Sequence, residues 1–173
     1  MPVNLELKVK LKSFSRVKKL LKVINAEFVK TLNQKDVYYK NHGELLKLRL
    51  ENGEQSIIKY LRDEKGSDRF SNYEVLQIAN GNAEKFFNII FKTEAVVEKK
   101  RQLFMYDNTR VHLDSVKGLG NFLELETLVL NSKLDAKKRY YEIIKLLKLD
   151  QYESIRKSYR NLMIESRNDS YKK

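Results

Sequence analysis

The chain has 173 residues, 42% hydrophobic and 34% charged, enough for one soluble domain with a proper core and too few for two. It contains no cysteine and two histidines, which excludes disulfides, thiolate zinc sites and a cluster of histidine ligands, and it has no apolar run near the roughly 20 residues of a membrane span. The 35 Lys+Arg against 23 Asp+Glu leave a net charge of +12, which asks for an anionic partner.

The first element is VNLELKVKL, Val3 to Leu11, where Val3, Leu5, Leu7, Val9 and Leu11 alternate with Asn4, Glu6, Lys8 and Lys10. A period of two predicts a strand with one apolar and one charged face. Next, Val17, Leu20, Leu21 and Ile24 fall at helical spacing, with Ser13 or Ser15 as the N-cap. Glu27 to Tyr39 reads as extended and His42-Gly43 as a turn. Leu46, Leu48 and Leu50 then alternate with Lys47 and Arg49, and Asn52-Gly53 predicts a hairpin returning through QSIIKYLR, residues 55–62.

DEKGSDR, residues 63–69, reads as a loop before the strand FSNYEVLQI. A second helix is marked by Ala83, Phe86, Phe87, Ile90 and Phe91, capped by Asn82. Three further strands follow: EAVVEKKRQLFMY, TRVHLDSV and GNFLELETLVL. Two helices end the chain. One begins at Asp135 and buries Ala136, Tyr140, Ile143, Ile144 and Leu147, and the other buries Tyr152, Ile155, Tyr159, Leu162 and Met163. Residues 1–166 are read as one domain and 167–173 as a flexible tail.

Eight strands joined by tight turns or single short helices suit an antiparallel sheet. Their polar faces are dominated by Lys/Arg and Asp/Glu: Glu6, Lys8 and Lys10; Lys47 and Arg49; Lys59 or Arg62, depending on register; Lys99 and Arg101; Arg110, His112 and Asp114; Glu124 and Glu126. A sheet closed with these faces inward makes a polar tunnel, suited to a polyphosphate and a hard divalent cation. A nucleic-acid footprint would instead want exposed Lys/Arg without interleaved acids, so none is expected.

These motifs resemble the CYTH, or triphosphate tunnel metalloenzyme, superfamily. NLELK occupies the place of its Glu-x-Glu-x-Lys signature. QKDVYY is similar to the family's Gln-x-Asp-x-Tyr-Phe strand, LKLRL to its Leu-Arg-Ile-Arg strand, and VEKKR to its Val-x-Lys-x-Arg strand. VHLDSVKGLGNFLELE is similar to a strand ending Leu-Asp, a Leu-Gly turn and a Phe-x-Glu-x-Glu strand, and SYRNL to the terminal helix motif.

The resemblance implies an α+β fold: a closed eight-stranded antiparallel barrel with flanking helices and a C-terminal helical pair. It implies Mg²⁺ or Mn²⁺ as cofactor, with Glu6, Asp114, Glu124, Glu126 and Asn4 as ligands or just behind them. Lys8, Lys10, Lys47, Arg49, Lys59, Arg62, Lys99 and Arg101 would grip phosphate, and Lys8 and Glu6 would serve catalysis.

Asn4 departs from the signature, because an amide replaces its first Glu. It can ligate but brings no charge, so a weakened second metal site is expected. His112 is read as a hydrogen-bonded structural histidine. The implied activity is hydrolysis of a triphosphate, inorganic triphosphate first, since the signature begins at residue 4 with no His-Phe element ahead of it. The alternatives are a class IV adenylate cyclase and a non-catalytic polyphosphate or nucleotide-binding module. A cytoplasmic protein is expected, with no membrane partner and a homodimer suggested by apolar residues on the last helices.

Overall fold

A computed structural model describes residues 3–40, 45–62 and 70–170 of the chain. Among them the order is β1 (Val3–Leu11), α1 (Ser15–Val23), β2 (Glu27–Tyr39), β3 (Leu45–Glu51), β4 (Glu54–Arg62), β5 (Phe70–Ile78), α2 (Ala83–Ile90), β6 (Thr93–Tyr106), β7 (Thr109–Val116), β8 (Gly120–Leu128), α3 (Lys133–Leu146) and α4 (Tyr159–Ser170). The strands close into a barrel in the order β1-β5-β4-β3-β2-β6-β7-β8. Every neighbouring pair is antiparallel. The turn expected at His42-Gly43 and the loop over residues 63–69 lie outside the described residues.

Tight turns make this closure possible. Asn52 and Gly53 adopt φ of 49° and 88°, and Asp107 adopts 50°. Left-handed turn residues match the twist of the strands they join, so β3–β4 and β6–β7 return in register without a long loop.

The apolar side of the alternation faces outward, under helices. Leu5, Leu7, Val9 and Leu11 of β1, Val111 and Leu113 of β7, and Leu123 and Leu125 of β8 form one core with Val17 and Leu21 of α1 and Tyr140 and Ile143 of α3. Burying a Leu or Val side chain contributes roughly 1.5–3 kcal/mol, so this layer anchors the β7-β8-β1 wall. A smaller core places Ala83 and Phe87 of α2 over Val37, Tyr39 and Leu48.

The two C-terminal helices serve different parts of the barrel. The side chains of α3 belong to the outer core, whereas Tyr159, Leu162 and Met163 of α4 meet Tyr38, Ala95, Val97, Val116 and Phe122. Those strand residues share the inner face with the charged positions, so α4 closes one end of the tunnel.

Some local expectations change. Phe14, not Ser13 or Ser15, occupies the N-cap of α1 and makes no side-chain cap bond, so burial of Val17 and Leu21 holds that helix. Asn82 does cap α2, accepting from the Lys85 amide. Ser132 caps α3, which starts ahead of Asp135. Tyr152 and Ile155 precede α4 instead of lying on it. Among the described residues β1 pairs with β5 as far as Leu5, and farther along the strand Ser154 bridges Val9 while the Ile155 amide donates to the Lys8 carbonyl, which holds this segment extended. Helix α4 continues to Ser170, four residues into the segment expected as a tail.

Candidate active site

On the inner face, β2 sets Asp36 directly opposite Arg49 of β3. The Asp36 carboxylate accepts from Lys47 Nζ at 2.9 Å and from Arg49 Nε and Nη2 at 2.7 and 2.8 Å. Burial alone would raise the Asp36 carboxyl, but the Lys47 and Arg49 charges outweigh it and hold the group well below the ordinary carboxylate value. Lys47 moves the other way: burial and Arg49 lower it to about 8, with Asp36 opposing.

A second clamp stands across the tunnel on β6, β7 and β8. Arg101 donates to both oxygens of Asp114 and, through Nη2, to Glu124 at 2.5 Å. Asp114 also accepts from the Tyr159 hydroxyl at 3.0 Å, and Lys99 lies 3.7 Å away. Burial and Arg101 lower Lys99 to about 8, against Asp114 and Asp36. Lys8 pairs with Glu124 at 3.1 Å, donates to the Lys157 carbonyl and sits 4.0 Å from the Tyr159 ring centre. Burial would raise the Glu124 carboxyl, but Lys8 and Arg101 hold it well below the ordinary value.

Two cavities occupy the tunnel. The inner one, about 40 Å³, is lined by Lys8, Lys47, Arg49, Lys99, Arg101, Glu124 and Tyr159; at ~15 Å³ per water-sized group it has room for about three oxygens. The outer one, about 220 Å³, adds Asn4, Gln34, Glu51, Arg110 and His112. Glu6, Arg49, Arg101 and Glu126 line both, so a ligand reaching from one to the other passes them. Glu6 accepts from the Ser71 hydroxyl. Glu126 stands 3.5 Å from Arg110 and 3.6 Å from His112, and atoms of His112, Glu124 and Glu126 lie within 4.8 Å of one another.

The structure thus brings Asn4, Glu6, Lys8, Lys47, Arg49, Lys99, Arg101, Glu124 and Glu126 to one tunnel. Asp114 stands behind Arg101, both its oxygens held, so it positions a cation and does not front the cavity. Two expected phosphate-binding lysines are elsewhere. Lys10 keeps the inward parity of β1 but lies at its far end, exposed, near the Phe122 ring. Lys59 is on the outer face, because Ile58 and not Lys59 pairs with Lys47, and it faces Glu74 of β5 instead. Arg62 pairs with Ser71 at the end of β4, and its side chain is outside the described residues.

Two contributors were missed from sequence. Asp36 sat inside the QKDVYY motif, and the odd acid among inward positions of β2 was the available signal. Tyr159 reads from its spacing as a core residue of a helix, and nothing in that spacing marks the hydroxyl that reaches Asp114.

A closed antiparallel barrel whose interior holds alternating cations and carboxylates defines this molecule's class. The chain belongs to the CYTH domain family, whose model matches residues 3–159. It is 30% identical to "Putative adenylate cyclase MJ0240" of Methanocaldococcus jannaschii, across 92% of this chain and 98% of that one. The PH1012 protein of Pyrococcus horikoshii superposes with a TM-score of 0.81 at 24% identity, covering 92% of this chain and 99% of that one. HpAC1 of Hippeastrum, an adenylyl cyclase by name with a dominant triphosphatase activity, superposes at 0.67 with 13% identity, covering 96% of each chain.

Proposed function

We propose that the protein is a divalent-metal-dependent triphosphatase, with inorganic triphosphate as substrate and pyrophosphate and phosphate as products. The observation that carries this reading is the inner cavity, where five cations converge beside three carboxylates: Lys8, Lys47, Arg49, Lys99 and Arg101 with Glu6, Glu124 and Glu126. With Asp36 and Asp114 behind them, five cations face five carboxylates among the described residues of the inner cavity, and their charges cancel without ligand. A triphosphate adds about four negative charges, which a neutral cage cannot hold in low dielectric without further cations. A divalent ion supplies that charge and polarises phosphate oxygens when bound. The carboxylates of Glu6, Glu124 and Glu126, with the Asn4 carbonyl, would hold it, and hard oxygen donors suit Mg²⁺ or Mn²⁺.

In this reading Arg49 and Arg101, each fixed by two hydrogen bonds to a carboxylate, present guanidinium groups that need no reorganisation when phosphate arrives. Lys47 and Lys99 stay protonated at neutral pH, and a polyanion beside them would raise their values again. Lys8, held by Glu124 and the Lys157 carbonyl, stands at the blind end and orients the attacking water. The deciding experiment incubates the protein with Mg²⁺ or Mn²⁺ and either inorganic triphosphate or ATP, and resolves phosphate, pyrophosphate and cyclic AMP. Phosphate and pyrophosphate from inorganic triphosphate support the proposal. The 30% identical relative named for adenylate cyclase favours a second reading, with the ATP 3′-hydroxyl in place of water. Cyclic AMP with pyrophosphate from ATP would establish that one, and binding without turnover would make the tunnel a binding module.

A further inference from the structure

His112 does not behave as the structural histidine its sequence context suggested. Its Nδ1 is buried and has no hydrogen-bond partner, and the residue is 4% exposed. The nearest carboxylate oxygen, Glu126 Oε1, stands at 3.6 Å, outside hydrogen-bond reach. Asn4 Oδ1, 2% exposed, is likewise without a partner and lines the same outer cavity. Gln34 Oε1, on another residue of that lining, is a third; buried polar atoms are nearly always bonded, so three orphans around one cavity beside Glu126 mark a place built for something else. A neutral imidazole keeps a lone pair on one ring nitrogen, and the unbonded Nδ1 can offer it.

The chemistry of the occupant follows from these donors. Arg49, Arg101 and Arg110 also line the outer cavity, but at His112 Nδ1 a phosphate oxygen would meet a lone pair and the Glu126 carboxylate, which repel it. Glu124 is already held by Lys8 and Arg101, and Glu126 stands 3.5 Å from Arg110; water would satisfy one orphan, whereas a cation can bridge the atoms of His112, Glu124 and Glu126 that lie within 4.8 Å of one another. A divalent cation accepts from all of them.

We infer that His112 is a nitrogen ligand in a mixed metal site with Glu126 and Glu124, the Asn4 carbonyl facing the same cavity, and that this site takes a transition-metal dication in preference to Mg²⁺. The inference rests on the reading of the tunnel as a metal-dependent triphosphate site and adds its metal selectivity. Imidazole is a softer donor than carboxylate and suits first-row transition ions, least Mn²⁺ and increasingly the later ones, whereas Mg²⁺ keeps to oxygen donors and gives up its waters reluctantly.

The test loads the full chain with Mn²⁺ alone and records electron spin echo envelope modulation. A directly coordinated imidazole gives ¹⁴N modulation, expected in the parent protein and absent in His112→Gln. Equilibrium titration with Mn²⁺ and Mg²⁺ should show the Mn²⁺ preference shrinking at least about tenfold in His112→Gln, a loss typical of a removed metal-site residue. Circular dichroism checks that the variant folds, and a variant that fails to fold leaves the parent spectrum to decide. Bound Mn²⁺ without ¹⁴N modulation, or an unchanged preference in a folded variant, overturns the inference while sparing the carboxylate site. No Mn²⁺ binding also overturns it, and Mg²⁺-dependent hydrolysis of inorganic triphosphate by the same preparation tells whether the triphosphatase reading falls with it.

Discussion

Arg101 and Asp114 sit directly opposite each other on β6 and β7, and the guanidinium grips both oxygens of the buried carboxylate. Asp114 is fully shielded from solvent and Arg101 nearly so. Removing one partner of such a pair leaves an uncompensated buried charge, at a cost of about 3–5 kcal/mol. Asp114→Ala should therefore lower the urea midpoint strongly. Glu124, which also accepts from Arg101, keeps the loss toward the lower end of that range. An unchanged midpoint would mean the clamp is not part of the fold's stability.

Asp36 makes the corresponding grip on Lys47 and Arg49. Asp36→Asn keeps the shape but halves the acceptor capacity for two cations. We expect KM for inorganic triphosphate to rise by roughly ten- to a hundredfold, with a smaller change in kcat, because positioning of the phosphate grip is what is lost. Steady-state kinetics separate the two.

Glu126→Gln and Lys8→Ala act where charge develops. Each should lower kcat by about 10²–10³-fold, the usual effect of removing one preorganised electrostatic group. In contrast, Lys59→Ala should leave kcat/KM within about twofold, since Lys59 lies on the outer face opposite Glu74. A Lys59→Ala variant as impaired as Lys8→Ala would show the strand register to be misassigned.

Lys47 and Lys99 share a low folded value, about 8 against an ordinary 10.5. Between about pH 8 and 10.5 the unfolded chain holds protons that these folded lysines have lost. Their contribution to stability therefore rises with pH across that window. Affinity for triphosphate runs the opposite way, falling above pH 8 by up to about tenfold per pH unit for each lysine. Calorimetry at pH 9 in two buffers of different ionisation enthalpy should show proton uptake on binding, and equal enthalpies in the two buffers would contradict these values.

Leu123 belongs to the outer core beneath the helices and is fully buried. Leu123→Ala should cost about 2–5 kcal/mol in denaturant unfolding. Its kcat should hold as long as the chain is folded, because the helix-covered layer and the tunnel lie on opposite faces of β8.

By itself the sequence determined the strands and which side of each carries charge. Alternation is a local property: VNLELKVKL, FSNYEVLQI and TRVHLDSV run over the very residues that form β1, β5 and β7. The Asn52-Gly53 and Asp107-Asn108 turns likewise depend on backbone preferences of a residue or two. What only the tertiary structure decided was how far along each strand the tunnel extends and which neighbour each charge meets. Lys10 has the same parity as Lys8 yet lies exposed at the far end of β1, and Lys59 faces outward because its strand pairs Ile58 with Lys47. The start of α4 also lay beyond local reading, since Ser154 bridges Val9 and the Ile155 amide donates to the Lys8 carbonyl before the helix begins. Period and turn chemistry act between neighbours in sequence, whereas register and the partner of a buried charge are set by residues on other segments of the chain, 13 positions away for Arg101 and Asp114 and 149 for Lys8 and the Lys157 carbonyl.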